Sequence, residues 1–448
     1  MPTSTGLLTD HYELTMLTSF VTDGTAEHPA VFEAFARRLP EGRRYGVLAG
    51  LGRLLPLVAD FTFADDEVEW LLEEGVVNDV TAAYLRAFRF SGDIDAYPEG
   101  DLYFPGSPIL TVRGTLGECV LLETLVLSVL NHDSAIASAA ARMVLAAGGR
   151  PEDGGRPLVE MGSRRTQEES AVAVARAAYV AGFASSSNLA AGRRHGVPTV
   201  GTAAHAFTLA YPTEAAAFAS QVAAQGVGTT LLVDTYDTAQ GIRTAVEVAG
   251  AGLGAIRIDS GDLADESADA RALLDELGAT DTRIIVTSDL DEFVLTALAD
   301  APIDGYGVGT RVATGSGHPT ASMVYKLVAV ADEPRGDLRP VAKKSHDKVS
   351  VGGRKTAWRR YADGVLVGEL FTTGNDVDLG TGPDVTAVQV AAIRAGKVVH
   401  SPTLQEVRAH CAAALATLPG PTRSVAAGPS YLTVSQRPST DTTEGDHR

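Results

Sequence analysis

A repeating pattern of short apolar runs is the feature of this sequence that most restricts its possible folds. Between residues 157 and 330, each run rich in Val, Ile and Leu is followed by a small polar motif and an Ala-rich stretch with helical spacing. This alternation predicts parallel strands joined by crossover helices. About seven such runs favour an α/β barrel, and a doubly wound open sheet is the alternative. The runs are PLVEM (157–161), GFASS (182–186), VPTVG (197–201), TTLLVD (229–234), GAIRID (254–259), RIIVTS (283–288) and DGYGVG (304–309).

Polar motifs follow these runs at the strand ends where a barrel collects its active site. Any one of them could be only a turn or a helix cap, because Asp, Ser, Gly and Thr are common at both. Six at the same end of consecutive units favour a functional site. They are SRRT after residue 162, GTAAH ending at 205, DTYD from 234, DSGD from 259, TSD from 287 and GVGT from 307.

Residues in three of these motifs could take part in ligand binding or catalysis. In DSGDL, Asp259 and Asp262 flank Gly261, so the backbone can approach a ligand while the acids face ribose hydroxyls or a hydrated Mg²⁺; a helix cap is the alternative. GVGT could offer backbone N–H groups to a phosphate, or be only a tight turn. His205 could act as a general base or as a nucleophile that accepts phosphate, or be a structural histidine.

Composition limits the partners and the compartment. The net charge of -19 disfavours binding to nucleic acid or an anionic membrane. Cys119 and Cys411 are far apart in the chain, and the first ten residues lack a secretory pattern, so we expect a cytoplasmic protein. The apolar stretch from Val120 to Leu130 is too short to span a bilayer and predicts a buried helix.

One basic stretch stands out in this acidic chain. It could be a solvated positive face, which composition slightly favours, or a phosphate-binding surface. It comprises Lys326, Arg339, Lys343, Lys344, Lys348, Arg354, Lys355, Arg359 and Arg360.

The regions around the barrel predict a second domain. Residues 1–130 mix helical segments with strand-like pieces, and residues from about 325 to 420 include further apolar runs. We expect these two parts to form one α/β domain into which the barrel, residues 131–324, is inserted. Residues 421–448 are rich in Pro, Ser, Thr and Gly and predict a loose tail.

The ordered set of motifs, from near residue 7 to about 360, closely resembles the nicotinate phosphoribosyltransferase family. The resemblance implies a type II phosphoribosyltransferase fold, with an irregular α/β barrel and an α/β N-terminal domain completed by C-terminal segments. It also implies homodimers with shared active sites. The motifs are TDHYEL (9–14), FEAFARRLP (32–40), EMGSRRTQE (160–168), GTAAHAF (201–207), RIDSGDL (257–263), SDLDE (288–292), GVGTRV (307–312) and VYKLV (324–328).

The resemblance assigns roles to individual residues. Tyr12 matches an aromatic residue that stacks on the pyridine ring from the neighbouring subunit, and Arg164 and Arg165 match a ligand-binding arginine pair. His205 matches a histidine that some members phosphorylate from ATP. The remaining matches are on the ribose and phosphate side, Arg257, Asp259, Gly261 and, by its motif, Asp262, and in the cradle of the 5′-phosphate, Ser288, Gly307, Gly309 and Thr310.

Two positions bear on the base that is bound. Related nicotinamide enzymes carry an Asp where this chain has Ser187. A carboxylate there would repel nicotinate, so its absence favours the acid over the amide. Met161 replaces the Phe that usually precedes GSRR. Methionine can fill the same apolar space, so we expect altered packing rather than lost function.

The resemblance therefore implies an enzyme that joins nicotinate to 5-phosphoribosyl 1-pyrophosphate (PRPP), with Mg²⁺ as cofactor and ATP as cosubstrate. The alternatives are a quinolinate phosphoribosyltransferase relative and a non-catalytic phosphate-sugar binding protein. A Schiff-base aldolase barrel is excluded, because residues 157–325 contain no lysine.

Overall fold

The computed structural model describes residues 4–343, 351–374, 382 and 384–437. Its α-helices are α1 (His11–Asp23), α2 (Leu51–Ala59), α3 (Asp65–Glu73), α4 (Asp79–Ala87), α5 (Leu116–Val120), α6 (Glu123–Ala146), α7 (Glu168–Ala181), α8 (Leu189–His195), α9 (His205–Leu209), α10 (Glu214–Gln225), α11 (Thr238–Ala249), α12 (Leu263–Glu276), α13 (Glu292–Ala297), α14 (Thr310–Ala313), α15 (Leu404–Ala416) and α16 (Gly420–Arg423).

The strands are β1 (Pro29–Ala36), β2 (Gly46–Val47), β3 (Asp93–Ala96), β4 (Leu102–Tyr103), β5 (Leu110–Thr115), β6 (Leu158–Glu160), β7 (Ser185–Ser186), β8 (Thr230–Leu232), β9 (Ala255–Ile258), β10 (Arg283–Ser288), β11 (Gly305–Val308), β12 (Met323–Val330), β13 (Arg339–Pro340), β14 (Lys355–Ala362), β15 (Val365–Thr373), β16 (Val385–Ala387), β17 (Val390–Arg394), β18 (Lys397–Val398) and β19 (Ser435–Gln436).

These elements divide into two compact units. The first comprises the chain up to Ala135, Thr320–Thr422 and the residues from Ala426 onward. The second comprises Ile136–Pro319 and Arg423–Val425.

The first unit is built around a seven-stranded antiparallel sheet with the order β13-β12-β1-β5-β3-β17-β18. The N-terminal strands β1, β5 and β3 form its centre, and strands from the C-terminal part of the chain flank them on both sides. The N-terminal domain is therefore completed by C-terminal segments, as predicted. Phe32 of β1 stacks on Tyr325 of β12 with ring centroids 4.9 Å apart. Both rings lie in the apolar core of this unit.

The most apolar helical region is buried, as predicted for Val120 to Leu130. The helical stretch Leu116–Asp153 is long and apolar enough to cross a membrane by length and composition alone. However, 67% of its most apolar window lies inside the protein, and Leu122 and Val126 are fully buried. Packing within the protein is sufficient to explain its composition.

The second unit contains a six-stranded parallel sheet with the order β7-β6-β11-β10-β9-β8. Its last strand in sequence, β11, pairs with its first, β6, so the sheet curls back on itself. Six of the seven predicted runs form strands, whereas VPTVG contributes only an isolated bridge between Ser186 and Thr199. Among the described residues no pairing joins this segment to β8, so the predicted irregular barrel is confirmed and is open at that point.

The basic stretch after the barrel is partly internal, contrary to both interpretations of its composition. Lys355 is buried and donates to both carboxylate oxygens of Glu33, at 2.8 and 2.9 Å. Arg359 is buried between Asp101 and Glu369. These cations stabilise the interior of the first unit and do not form a surface.

Parts of two predictions lie outside the described residues. They are Lys344 and Lys348 of the basic stretch, and residues 438–448 of the C-terminal segment. The described part of that segment includes most of α16 and the short strand β19, which pairs in parallel with β15.

Candidate active site

The carboxyl ends of the parallel strands carry nearly all of the residues singled out in the sequence. Because the strands of the barrel run in parallel, these ends lie at the same edge of the sheet. Ser288 is the exposed last residue of β10, and Thr310 begins α14 directly after β11. Of the predicted site residues, only Tyr12 lies in the first unit.

Asp259, which follows β9, is held by several hydrogen bonds. Its Oδ1 accepts from Nη2 of Arg257 at 2.9 Å and from the hydroxyl of Thr287. Arg257 also donates through Nε to Thr287 Oγ1 at 2.9 Å. Burial opposes ionisation of Asp259, but the hydrogen bonds from Thr287 and Arg257 outweigh it and lower its pKa from 3.8. The carboxylate is therefore ionised at neutral pH.

His205 begins α9 and faces two carboxylates. Its Nε2 lies 3.8 Å from Oδ2 of Asp259 and 3.9 Å from Oδ1 of Asp234, while its Nδ1 lies 3.2 Å from Oγ1 of Thr235. The other oxygen of Asp234 accepts from the backbone N–H of Asp259 at 2.8 Å. Asp234 Oδ1 is buried and has no hydrogen-bond partner in the described structure.

Asp234 is a candidate functional residue that the sequence reasoning did not select, although the DTYD motif that contains it was recognised. Its side chain is only 2% exposed. Position after a strand was the available signal, but nothing in the sequence distinguished Asp234 from the nearby Asp237, which caps α11 by accepting from the Gln240 N–H at 2.8 Å.

The DSGDL motif combines a tight turn with a helix cap. Gly261 has φ +86°, a left-handed conformation that favours glycine. Asp262 Oδ1 accepts from the backbone N–H groups of Ala264 and Asp265 at 3.1 and 3.4 Å, so this residue caps α12. Its second oxygen accepts no hydrogen bond within the described residues and remains available to a ligand.

Met161 and the glycines of GVGT are close neighbours. A Cβ at Gly307 would lie 2.7 Å from Met161 Sδ and 2.5 Å from Cγ2 of Thr287. A Cβ at Gly162 would lie 3.0 Å from the carbonyl oxygen of Gly309. A larger residue at position 162 or 307 would therefore force neighbouring atoms to shift at the edge of the candidate site.

Arg164 and Arg165 are both exposed, on the segment that follows β6. Neither guanidinium takes part in an ion pair or hydrogen bond with the part of the chain that the structure describes. Ser187 is also exposed, and its backbone N–H donates to the carbonyl of Glu160 at 2.8 Å. Two free cations and an uncharged residue suit a carboxylate ligand.

Glu160 is a second residue that the sequence reasoning missed. It ends β6 and is fully buried. Burial raises the pKa of its carboxyl above 4.5, although hydrogen bonds from Ser186 and from the Gly162 N–H act in the opposite direction. Glu160 is part of the EMGSRR motif, but only Met161, Arg164 and Arg165 of that motif were assigned functions from the sequence.

Tyr12 lies in α1 of the first unit and is 45% exposed. Partial burial and the nearby carboxylate of Glu123 raise the pKa of its phenol above 10.0. The ring is therefore uncharged at neutral pH and presents an accessible aromatic surface.

A protein-only metal cluster is not found in the described residues, where no group of three His, Cys, Asp or Glu side chains could hold an ion. Mg²⁺ usually takes one or two protein carboxylates together with substrate phosphates and water. One oxygen each of Asp259 and Asp262 accepts no hydrogen bond in the described structure, so these residues fit that arrangement.

The architecture defines the class of protein. The chain is similar to the crystal structure of human nicotinic acid phosphoribosyltransferase, with a TM-score of 0.80 and 26% identity over 95% of this chain and 97% of that one. Nicotinate-nucleotide pyrophosphorylase from Pyrococcus furiosus has the same fold, with a TM-score of 0.74 and 23% identity over 91% and 94% of the two chains. The fold is that of the type II phosphoribosyltransferases.

Sequence comparison identifies the family. Residues 7–131 match the nicotinate phosphoribosyltransferase (NAPRTase) N-terminal domain. Nicotinate phosphoribosyltransferase pncB1 of Mycobacterium tuberculosis is 56% identical over 432 residues, which cover 94% of this chain and 93% of that protein. The Bacillus subtilis nicotinate phosphoribosyltransferase is 38% identical over 80% and 73% of the two chains. This chain belongs to the nicotinate phosphoribosyltransferase family.

Proposed function

We propose that this protein joins nicotinate to PRPP and releases nicotinate mononucleotide and pyrophosphate, a salvage step toward NAD. The observation that carries the proposal is the pair of exposed, unpaired guanidiniums of Arg164 and Arg165 on the same strand-end edge as the uncharged Ser187. A carboxylate on the base matches this arrangement, whereas a carboxamide does not need it.

Asp259 supports the chemistry at the ribose. As the bond between the anomeric carbon and the pyrophosphate oxygen breaks, positive charge develops on the ribosyl group, and the pyridine nitrogen then attacks that carbon. An ionised Asp259, fixed by Arg257 and Thr287, stabilises this charge without forming a covalent bond. Correct positioning of the base relative to the ribose contributes the remaining rate acceleration.

The phosphates of PRPP are expected at the glycine-containing strand ends. Backbone N–H groups near Gly261, Gly307 and Gly309, with the hydroxyls of Ser288 and Thr310, offer the donors that phosphate oxygens require. When bound with the pyrophosphate, Mg²⁺ would neutralise part of its charge, and Asp259 and Asp262 would hold it.

His205 is proposed to couple the reaction to ATP hydrolysis. If Nδ1 donates to Thr235, Nε2 keeps its lone pair and lies between Asp234 and Asp259. Nε2 attacks the γ-phosphorus of ATP and ADP leaves. Water later takes the phosphoryl group from the histidine, which regenerates the imidazole and releases phosphate.

Tyr12 is proposed to stack on the pyridine ring in the site of a second subunit, so that the active form is a homodimer. Its uncharged, exposed ring suits this contact. We also propose that the protein works in the cytoplasm.

The test is an assay of the purified protein with PRPP, Mg²⁺ and each of nicotinate, nicotinamide and quinolinate, with and without ATP. We expect nicotinate mononucleotide from nicotinate, with kcat/KM well above that for nicotinamide. Equal use of the two bases would refute the proposed specificity. Product from quinolinate alone would support the decarboxylating alternative, and PRPP binding without turnover would support a non-catalytic binding protein.

The ATP step has its own test. Incubation with γ-labelled ATP and Mg²⁺ should give an acid-labile, base-stable phosphoprotein that nicotinate and PRPP discharge. His205→Ala should lose both the label and the stimulation by ATP but keep some ATP-independent transfer, because the ribosyl chemistry needs no histidine nucleophile. Undiminished labelling of this variant would place the phosphorylated residue elsewhere.

A further inference from the structure

Glu160 is a fully buried carboxylate with no cationic partner within the described residues. Its Oε1 accepts a hydrogen bond from the backbone N–H of Gly162, and its Oε2 accepts one from Oγ of Ser186 at 2.6 Å. An ionised carboxylate without a cation is costly to bury, even when it is hydrogen-bonded. The backbone hydrogen bonds that hold β6 between β7 and β11 do not require this side chain.

The two donors belong to different segments of the candidate site. Gly162 begins the segment that carries Arg164 and Arg165, whereas Ser186 precedes Ser187 at the end of β7. The Glu160 carboxylate therefore joins the segment with the arginine pair to the end of β7, directly before Ser187. We call the segment of residues 162–165 the arginine segment.

A second side-chain hydrogen bond joins the same two segments. Asn188 donates through Nδ2 to Oγ of Ser163 at 3.0 Å, and its backbone N–H donates to Oγ of Ser186 at 2.9 Å. Ser186 Oγ thus accepts from Asn188 and donates to Glu160. In this arrangement the Ser186 hydroxyl proton is directed to position 160, where a carboxylate can accept on both of its oxygens.

We propose that Glu160 is a positioning residue that selects the base: its bridge between Gly162 and Ser186 holds the arginine segment in place beside Ser187 and so favours a substrate carboxylate. The inference rests on the proposed use of nicotinate. Glu160 itself does not contact the substrate in this proposal. Its effect is transmitted through the backbone of Gly162 to the arginines.

Glu160→Gln tests the bridge with a side chain of nearly the same shape. Glutamine has one acceptor oxygen and one NH₂ group, so it can accept from Gly162 or from Ser186 but not from both. Ser186→Ala removes the other end of the bridge, and Ser163→Ala removes only the second connection. Glu292→Gln is the matched control, because Glu292 is also a buried carboxylate of the second unit, paired with Arg142 at 3.0 Å.

The measurements are kcat, KM for nicotinate, KM for PRPP, and the ratio of kcat/KM for nicotinate to that for nicotinamide. For Glu160→Gln we expect KM for nicotinate to rise about tenfold, as for the loss of a charge-assisted hydrogen bond. KM for PRPP should change less than about threefold, and the nicotinate preference should fall with the rise in KM. Glu292→Gln should lower thermal stability without changing this preference.

A double-mutant cycle shows whether the two residues act as one unit. If the bridge is the cause, the Glu160→Gln and Ser186→Ala double variant should have almost the same KM for nicotinate as the more impaired single variant. Ser163→Ala should shift it in the same direction but less. Additive effects, equal rises in KM for both substrates, or loss of stability with an unchanged base preference would each overturn the inference.

Calorimetric titration with nicotinate separates this inference from the proposed reaction. Wild-type protein that binds nicotinate but forms no mononucleotide would refute the proposed function, while weaker binding by Glu160→Gln would still support the bridge. Equal nicotinate affinity of wild type and Glu160→Gln would overturn the bridge even if the enzyme is active. Wild-type protein that neither binds nor consumes nicotinate would overturn both.

If Glu160→Gln does not fold, Ser186→Ala alone decides the outcome. Alanine is accommodated readily in place of serine, so this variant should remain folded. An unchanged KM for nicotinate in folded Ser186→Ala would overturn the inference.

Discussion

The core of the first unit and the strand-end edge of the barrel differ in how they hold buried charge. In the first unit, Arg359 is buried between Asp101 and Glu369, and Lys355 is buried against Glu33. In the second unit, Glu160 is equally buried but accepts only from neutral donors.

Exposed charges at the barrel edge extend this contrast. Arg164 and Arg165 have no partner in the described chain, whereas the buried cations of the first unit are paired with carboxylates. A charge that is fully paired within the protein stabilises the fold and is unavailable to a ligand. Charges without internal partners, such as those of Arg164 and Arg165, are available to a substrate.

Arg359→Ala should give the largest effect, because it leaves two buried carboxylates without their cation. We expect the free energy of unfolding to fall by about 3–5 kcal/mol. Urea denaturation followed by circular dichroism measures it. The control is Arg339→Ala, which removes an exposed pair with Asp332 and should cost less than about 1 kcal/mol. Similar losses in both variants would contradict the contrast between buried and exposed pairs.

Asp259→Asn should affect turnover and leave the fold intact. Loss of the negative charge should lower kcat about 100-fold, comparable to the loss of one electrostatic contact in a transition state. The variant should remain folded because asparagine keeps the shape, although the denaturation midpoint should fall somewhat with the loss of the ion pair to Arg257. Asp275→Asn, which alters an exposed pair with Arg271, is the control and should keep wild-type kcat. A wild-type kcat in Asp259→Asn would mean that Asp259 is structural only.

Ser187→Asp introduces a negative charge at the strand-end edge that also carries the unpaired Arg164 and Arg165. Repulsion of the nicotinate carboxylate should cost on the order of 1 kcal/mol, which is roughly a fivefold fall in kcat/KM. Ser187→Asn has the same shape without the charge and should behave more like wild type with nicotinate. If the two variants lose nicotinate activity equally, size rather than charge is responsible.

The smallest effect concerns the pH dependence of stability. Burial opposes ionisation of Asp101, but the nearby Arg359 outweighs this effect and lowers the pKa of Asp101 from 3.8 to about 2. The ionised Asp101 therefore stabilises the fold above pH 3.8, and this contribution is lost as the pH falls toward 2. Burial raises the pKa of Glu160 above 4.5, so its ionisation costs stability as the pH rises from 4.5.

Denaturation midpoints measured across this pH range test the opposite pH dependences of stability that are expected from Asp101 and Glu160. The stability of Glu160→Gln relative to wild type should increase as the pH rises from 4.5 toward neutrality. Parallel curves for the two proteins would contradict the assigned cost of ionising Glu160.

Much of the fold was predictable because it depends on local patterns. The alternation of apolar runs and helical stretches predicted the irregular parallel barrel and the buried helix, and the ordered motifs predicted the family. The run VPTVG was the exception, since its pairing is limited to Thr199. Its composition suits a strand, but only the neighbouring chain determines whether a ladder forms.

The site was predictable in its location but not in its hydrogen bonds. The rule that polar residues after parallel strands share one edge brought together His205 and Asp259, as the structure shows, whereas Arg257 within β9 was selected only by the family resemblance. It could not rank the acidic residues within each motif. Asp234, Asp237 and Asp262 all follow strands, yet Asp237 and Asp262 cap helices and Asp234 faces His205.

The sequence by itself determined the class of fold, the family and the edge of the barrel that carries the site, because periodicity and motif order are properties of the chain. Only the tertiary structure decided which charges are neutralised. Lys355 and Arg359 look like surface cations in the sequence and are buried partners of Glu33, Asp101 and Glu369. Burial and pairing depend on residues that are distant along the chain, and no local pattern contains that information.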